Sequence, residues 1–168
     1  MKANGSAYVT AVLAVLAGYF AYQWWFNPQR AIKRQLGELA ATLSVPAGSR
    51  GEVDRLARSA RLRSYFAPDV HVTLGGAAPA LTSRDALVGA ANAWTPPPGD
   101  WNVSFVDVQV ALDTESTARA YMTVEIESRD PATGRPALDS RDMTVGLAER
   151  DGAWVITMAE PAATGPRP

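Results

Sequence analysis

The feature of this sequence that most limits its architecture is an uncharged stretch near the amino terminus. No Asp, Glu, Lys or Arg occurs between Ala3 and Gln29. The apolar centre of this stretch, Tyr8 to Phe26, is 19 residues long. As an α-helix it would span about 28 Å, close to the thickness of the hydrocarbon layer of a bilayer. We therefore expect residues 1–29 to form an amino-terminal tail and a helix that crosses the membrane once.

The residues that follow the apolar centre fit a membrane boundary, where aromatic rings sit at the lipid–water interface and basic side chains reach the headgroups. The predicted interface residues are Trp24, Trp25, Phe26, Arg30, Lys33 and Arg34. A cleaved secretory signal and a buried soluble helix are the alternatives. The apolar stretch continues nine residues past the small-residue motif at 15–17, which favours a retained helix. The charges on its two sides differ too little to decide which side of the membrane carries the rest of the chain.

The formal net charge of −1 conceals a strong segregation of charge along the chain. Residues 1–29 carry +1, residues 30–63 carry +5 and residues 64–168 carry −7. The chain thus has a basic segment next to the predicted membrane helix and an acidic body behind it. The 14 arginines against two lysines are typical of a GC-rich bacterial genome. Together with the predicted membrane helix, this leads us to expect the protein in a bacterial inner (cytoplasmic) membrane.

The basic segment, residues 30–63, has the periodicity of two membrane-proximal helices. The first begins with an Asn27 cap and Pro28 at the first helical position. Its apolar stripe comprises Ile32, Leu36, Leu39, Ala40 and Leu43. The second helix spans about 52–66, and the residues expected to face inward are Val53, Leu56, Ala60 and Leu62.

Five arginines lie between residues 50 and 63, and three interpretations remain open for them. They form a solvated helix face, they contact anionic lipid headgroups, or they bind nucleic acid. Nucleic acid is the least favoured partner, because the body is acidic and no aromatic stacking platform alternates with the arginines.

The pattern changes to strands in the acidic body. Residues 70–74 alternate as a strand, and a helix then opens with Thr82 and Asp85 at capping-box spacing and ends near Trp94, before a run of prolines. Four further strands are predicted at 101–112, 117–128, 138–149 and 153–160, with a disordered tail at 161–168. Helices followed by an antiparallel meander indicate an α+β fold with helices on one sheet face.

This order of elements resembles the nuclear-transport-factor-2-like superfamily, including its SnoaL-like branch. The motifs that carry the resemblance are YFAPDVHV at 65–72, SRDAL at 83–87 and DGAWVI at 151–156. The resemblance covers about residues 30–160 and implies a cone-shaped half-barrel with a pocket between the curved, mainly antiparallel sheet and the helices. Members of the superfamily include isomerases, dehydratases, epoxide hydrolases and many binding or scaffolding domains, so the fold does not select a function.

Strand alternation predicts which side chains line that pocket. The expected wall residues are Met122, Val124, Ile126, Met143, Val145, Leu147, Trp154, Ile156 and Met158. The carboxylates Glu125, Glu127 and Asp142 fall on the opposite face by the same period. The predicted pocket is therefore apolar, whereas catalytic members of the superfamily place titratable groups there.

Catalysis has few candidates in this chain. The absence of cysteine and the single histidine exclude thiolate and multi-histidine metal sites, so we expect no metal and no cofactor. The weak catalytic candidates are His71, Asp107, Tyr65 and Arg141. Asp107, Tyr65 and Arg141 could join His71 only if a bulge reversed the local alternation of a strand.

The sequence therefore favours a membrane-anchored, non-catalytic binding or scaffolding domain that serves as an accessory or assembly subunit of a bacterial membrane complex. Its expected partners are the lipid bilayer and either a membrane protein or a second copy of the chain, bound through the exposed sheet face. The alternative is a SnoaL-like small-molecule enzyme or carrier that holds a hydrophobic small ligand in the apolar pocket.

Overall fold

The computed structural model describes residues 14–16, 27–46, 48, 51–73, 75, 79–96, 99–129 and 133–162. Most of the predicted membrane segment, including Trp24, Trp25 and Phe26, lies outside the described residues, as does the tail from residue 163 onward. No helix within the described ranges is long and apolar enough to cross a membrane.

The described chain from residue 27 onward forms three helices and five strands. In chain order these are α1 (Pro28–Leu43), α2 (Glu52–Tyr65), β1 (Phe66–Val72), α3 (Arg84–Ala93), β2 (Asn102–Leu112), β3 (Thr117–Arg129), β4 (Pro136–Arg150) and β5 (Ala153–Pro161). The predicted α+β class and the four carboxyl-terminal strands are confirmed. β5 extends through Pro161, into the segment predicted as a disordered tail.

Helix α1 forms as its sequence predicts. The Asn27 side chain accepts a hydrogen bond from the backbone N–H of Gln29, and Pro28 occupies the first turn. The predicted apolar stripe packs onto the sheet, with Ile32 and Leu36 among the most completely buried side chains. Burial of each such side chain contributes about 1.5–3 kcal/mol. The helix ends where Val45 turns away to form a β-bridge with Trp101.

Helix α2 has the predicted span but a different orientation. Val53 is 78% exposed, Leu56 is 60% exposed and Ala60 is exposed as well, so their predicted inward orientation is wrong. Only Ser59 and Leu62 of this helix are buried. On the buried face the helix makes a polar contact with α3: the Ser59 hydroxyl donates to the Asn92 side-chain oxygen. A salt bridge of 2.9 Å between Arg63 and Asp85 joins the same two helices.

Helix α3 begins one residue later than predicted. Ser83, rather than Thr82, provides the cap, since its hydroxyl oxygen accepts from the backbone N–H of Ala86 at 3.2 Å. The predicted end near Trp94 is confirmed.

The five strands form one sheet in the order β1-β5-β4-β3-β2. β1 and β5 are parallel, and the remaining pairs are antiparallel. The Asp151-Gly152 turn between β4 and β5 has positive φ at both residues, the geometry that twisted hairpins prefer. Pairing shifts register in β2 between Val106 and Gln109, and in β5 between Ile156 and Met158. Such bulges bend a strand and increase its twist, which makes the sheet curved.

Two exposed ion pairs join the ends of strands. Arg119 donates three hydrogen bonds to the carboxylate of Asp113 at 2.8–3.2 Å, across the β2–β3 turn. Arg150 of β4 donates two hydrogen bonds to the carboxylate of Asp69 in β1, at 2.9 and 3.2 Å. These hydrogen bonds lower the pKa of each Asp below its ordinary value of 3.8 and raise the pKa of each Arg.

The orientation of α2 is testable with two matched substitutions on this helix. Leu62→Ala removes a side chain that is 2% exposed, and we expect it to lower the free energy of unfolding by about 2–3 kcal/mol. Leu56→Ala removes an exposed side chain, and we expect a change within about 0.5 kcal/mol. Denaturant unfolding of both variants measures this. Equal losses of stability would show that Leu56 packs inward as well.

The ion pair at the β2–β3 turn predicts a pH effect. Because the pKa of Asp113 is lowered in the folded protein, the pair stabilises the fold above the ordinary Asp pKa, and this contribution is lost as the pH falls through the lowered pKa. Arg119→Gln should raise the pKa of Asp113 toward its ordinary value, as measured by NMR titration of the carboxyl carbon. Arg150→Gln is the matched control: it should raise the pKa of Asp69 and leave that of Asp113 unchanged.

Candidate binding cavity

A cavity of about 510 Å³ lies between the concave face of the sheet and the three helices. Its volume falls within the range of small-molecule sites, roughly 300–1,000 Å³. The helices and the residues next to them contribute Leu36, Leu39, Leu43, Leu62, Leu81, Leu87, Ala90, Ala91 and Trp94. The strands contribute Phe66, Val72, Phe105, Met122, Val124, Met143, Val145, Ile156 and Ala159. Every one of these described wall residues has an apolar side chain.

The structure brings five of the nine predicted wall residues to the cavity: Met122, Val124, Met143, Val145 and Ile156. Leu147 and Trp154 lie instead in the closely packed part of the core. Ile126 lies two residues beyond Val124 on the same face of β3, outside the wall. The cavity therefore occupies one part of the concave face, while the remainder is filled by side chains.

Met158 does not line the cavity, because the bulge in β5 reverses the alternation before it. Ile156 pairs with Leu147 and Met158 pairs with Gly146, so Thr157 has no partner in the register. Met158 packs over Gly146, where an added Cβ would lie 3.4 Å from the Met158 Cβ. Ala159 pairs with Val145 and takes the inward position that the unbroken period assigned to Met158.

The helical half of the wall was not predicted as a wall. The periodicity of the α1 stripe predicts only a buried face, and Leu87 and Ala91 of α3 line the cavity as well. Trp94 was recognised only as the end of that helix, yet it lines the cavity while 42% exposed and contacts the Trp101 ring edge-on at a centroid distance of 4.8 Å. A large aromatic side chain at a helix end, directly before a proline run, was the available signal.

The four catalytic candidates do not line the cavity. His71 is exposed on the convex face of β1, where it pairs with Met158. Asp107 is exposed at the β2 bulge, with a positive φ of 52°. The bulge does reverse the alternation of β2, and it turns Val108 and Val110, rather than Asp107, toward the core.

The other two candidates have structural neighbours of their own. Arg141 is exposed and forms a 3.1 Å salt bridge with Asp139. It is the cross-strand neighbour of Val124, so it extends the concave face past the cavity wall. Tyr65 ends α2 and lines a separate surface pocket together with Gln35 and Trp154. Within the described part of the chain, no group of three or more His, Asp or Glu side chains could hold a metal ion.

No family model matches this sequence, and no curated protein matches it. Several solved structures share its fold. An NTF2-like protein with a cystatin-like fold from Novosphingobium aromaticivorans has a TM-score of 0.65 at 11% identity, covering 89% of this chain and 90% of the other. A scytalone dehydratase-like protein from the same organism has a TM-score of 0.60 at 16% identity, covering 78% and 80% of the two chains.

A protein of unknown function from Mycobacterium tuberculosis has a TM-score of 0.64 at 15% identity and covers 85% of this chain and 74% of its own. At such low identities the likeness concerns the fold and carries no function. The α+β architecture described here is therefore the fold of these solved structures, an NTF2-like protein among them, and this agrees with the fold that the order of elements in the sequence indicated.

Proposed function

We propose that this protein is a membrane-anchored binding domain that holds an apolar ligand in the cavity without carrying out chemistry on it. The observation that carries the proposal is the cavity itself, a space of about 510 Å³ whose described wall is entirely apolar. Transfer of apolar surface from water into such a space is favourable by roughly 25 cal/mol per Å².

The positions of the titratable groups support binding rather than catalysis. Proton transfer needs an acid or a base within hydrogen-bonding reach of the reacting atom. His71 and Asp107 are exposed, Arg141 is paired with Asp139, and Tyr65 lines a different pocket. The carrier form of the SnoaL-like alternative thus agrees with the proposal, whereas the enzymatic form lacks a group in the wall to perform it.

The anchoring part of the proposal is supported by charge and position. Arg30, Lys33 and Arg34 are all exposed on the first turns of α1, directly after the uncharged stretch. Basic side chains in such a position favour an anionic membrane surface by about 1 kcal/mol each. In this arrangement the domain would stay close to the inner-membrane surface, where apolar ligands concentrate.

The convex face of the sheet supports the proposed role as an accessory or assembly subunit. The helices cover only the concave face, and the convex face of β3 and β4 carries polar side chains, among them Glu125, Glu127 and Asp142. A membrane protein or a second copy of the chain would bind there and leave the cavity unobstructed.

Ligand binding is testable by filling the cavity. Val124→Phe places a ring in the open space, and we expect at least about a tenfold loss of binding because the ring overlaps the position of a ligand packed against that part of the wall. Val155→Phe is the matched control, since Val155 lies on the convex face of β5 opposite Ala148. The measurement is photolabelling of the full-length chain in phosphatidylcholine nanodiscs by a diazirine-bearing hexadecanol, with labelled sites mapped by mass spectrometry. Equal labelling of the two variants, or none at the wall of the unaltered chain, would contradict the proposal.

Anchoring is testable by placing charges in the apolar stretch. Val12→Arg together with Leu16→Arg should release the protein from the membrane, because each arginine near the centre of a spanning helix costs about 2.5–3.5 kcal/mol. Leu138→Arg, at a side chain that is 62% exposed in the domain, is the control and should leave the distribution unchanged. Carbonate extraction of membranes gives the ratio of pelleted to soluble protein. Unaltered protein in the soluble fraction would contradict anchoring, and a reporter fused after Pro168 identifies the side of the membrane.

A further inference from the structure

The apolar cavity has a smaller, basic pocket of about 170 Å³ as its neighbour, on the other side of Trp94. The two spaces share Leu43, Leu62, Ala91 and Trp94 as common walls, and the smaller one adds Arg55 and Arg58. No Asp or Glu is among the described residues that line the smaller pocket. The larger of these two adjoining spaces is therefore apolar, and the smaller is positively charged.

The unexpected orientation of α2 brings the two arginines to this pocket. Arg55, Arg58 and Leu62 occupy one face of the helix, at spacings of three and four residues. The Ser59 hydroxyl, next to that face, lies within hydrogen-bonding distance of the Asn92 side-chain oxygen on α3 and of the Arg55 carbonyl, the latter at 2.9 Å, and so joins the helix to α3. The helix exposes Val53 and Leu56 while it presents Arg55 and Arg58 to the pocket. Apolar burial alone would favour the opposite orientation.

The charge around the pocket is not uniform. Asp54 lines a neighbouring surface pocket together with Arg58 and Arg61, on the side of α2 that faces α1. The Asp54 Oδ2 atom lies 3.4 Å from the position that a Cβ atom added to Gly51 would take. Arg58 therefore has an acidic neighbour, whereas Arg55 lines only the basic pocket among these surface pockets.

We infer that the cavity and the basic pocket together bind a long-chain fatty acid, with its hydrocarbon chain against the apolar wall and its carboxylate at Arg55 and Arg58. This inference rests on the proposed function, because it assumes that the cavity holds an apolar ligand. The apolar space is the larger of the two and the charged space the smaller, just as the hydrocarbon chain of a fatty acid is larger than its carboxylate. A guanidinium group binds a carboxylate through two parallel, charge-assisted hydrogen bonds, which a neutral head group cannot match.

The test compares two probes that differ only in the head group. The full-length chain in phosphatidylcholine nanodiscs is photolabelled with a diazirine-bearing palmitic acid or with the matching hexadecanol, and labelling of the nanodisc scaffold corrects for partition into lipid. We expect the acid to label the cavity wall about tenfold more efficiently than the alcohol, as one charge-assisted interaction implies. Arg55→Gln with Arg58→Gln should abolish that preference and leave labelling by the alcohol unchanged.

Arg61→Gln is the matched control, because Arg61 lies on the same helix and lines the neighbouring pocket instead. It should keep the preference for the acid. Arg55→Lys with Arg58→Lys keeps the charge and should retain part of the preference, which separates recognition of the head group from damage to the helix.

The remaining outcomes would overturn either the fatty-acid site alone or the proposed function as well. Equal labelling by acid and alcohol in the unaltered chain, or a preference that survives the double glutamine substitution, would overturn the fatty-acid site and leave the apolar cavity as a binding site. A cavity wall that neither probe labels would overturn both proposals. Cross-links between two copies of the chain at the cavity wall would assign the cavity to a second copy and overturn both as well.

Discussion

The curvature of the sheet is the constraint on which the rest of this structure depends. Five strands share one continuous hydrogen-bonded sheet, and the register shifts in β2 and β5 bend it around the helices. A curved sheet cannot contact straight helices along its whole length. The side chains of α1 fill one part of the concave face, and the unfilled part becomes the cavity.

The orientation of α2 differs from the one that its apolar side chains alone predict, because Leu62 is buried while Val53 and Leu56 are exposed. Val53 and Leu56 would gain a few kcal/mol from burial. The hydrogen bond between Ser59 and Asn92 and the salt bridge between Arg63 and Asp85 instead join α2 to α3 along another face. One consequence is a basic pocket next to the apolar cavity. Two of the five arginines between residues 50 and 63 line this pocket, so part of the basic segment of the sequence is gathered at one place in the fold.

Five of the nine side chains predicted for the pocket wall line the cavity, and the position of the others has local causes. Alternation holds along β3 and the inner part of β4, so Met122, Val124, Met143 and Val145 reach the cavity. It fails in β5, where the unpaired Thr157 reverses the alternation, so that Ala159 rather than Met158 faces the cavity. It also fails in β2, where Asp107 turns outward at the bulge. A bulge depends on the pairing of two strands and leaves little trace in either strand alone. The helical residues of the wall escaped prediction because periodicity identifies a buried face without showing whether that face meets side chains or empty space.

The sequence by itself determined the cap and the apolar stripe of α1, the approximate positions of the four carboxyl-terminal strands and the Asp-Gly turn, because these depend on residues within a few positions of one another. It also indicated the fold, through the order of the elements. Only the tertiary structure decided the orientation of α2, the bulges that curve the sheet and the position of Trp94 between an apolar and a basic space. These features depend on contacts between distant segments, such as Ser59 with Asn92 and Ile156 with Leu147, whose energies do not appear in any local pattern.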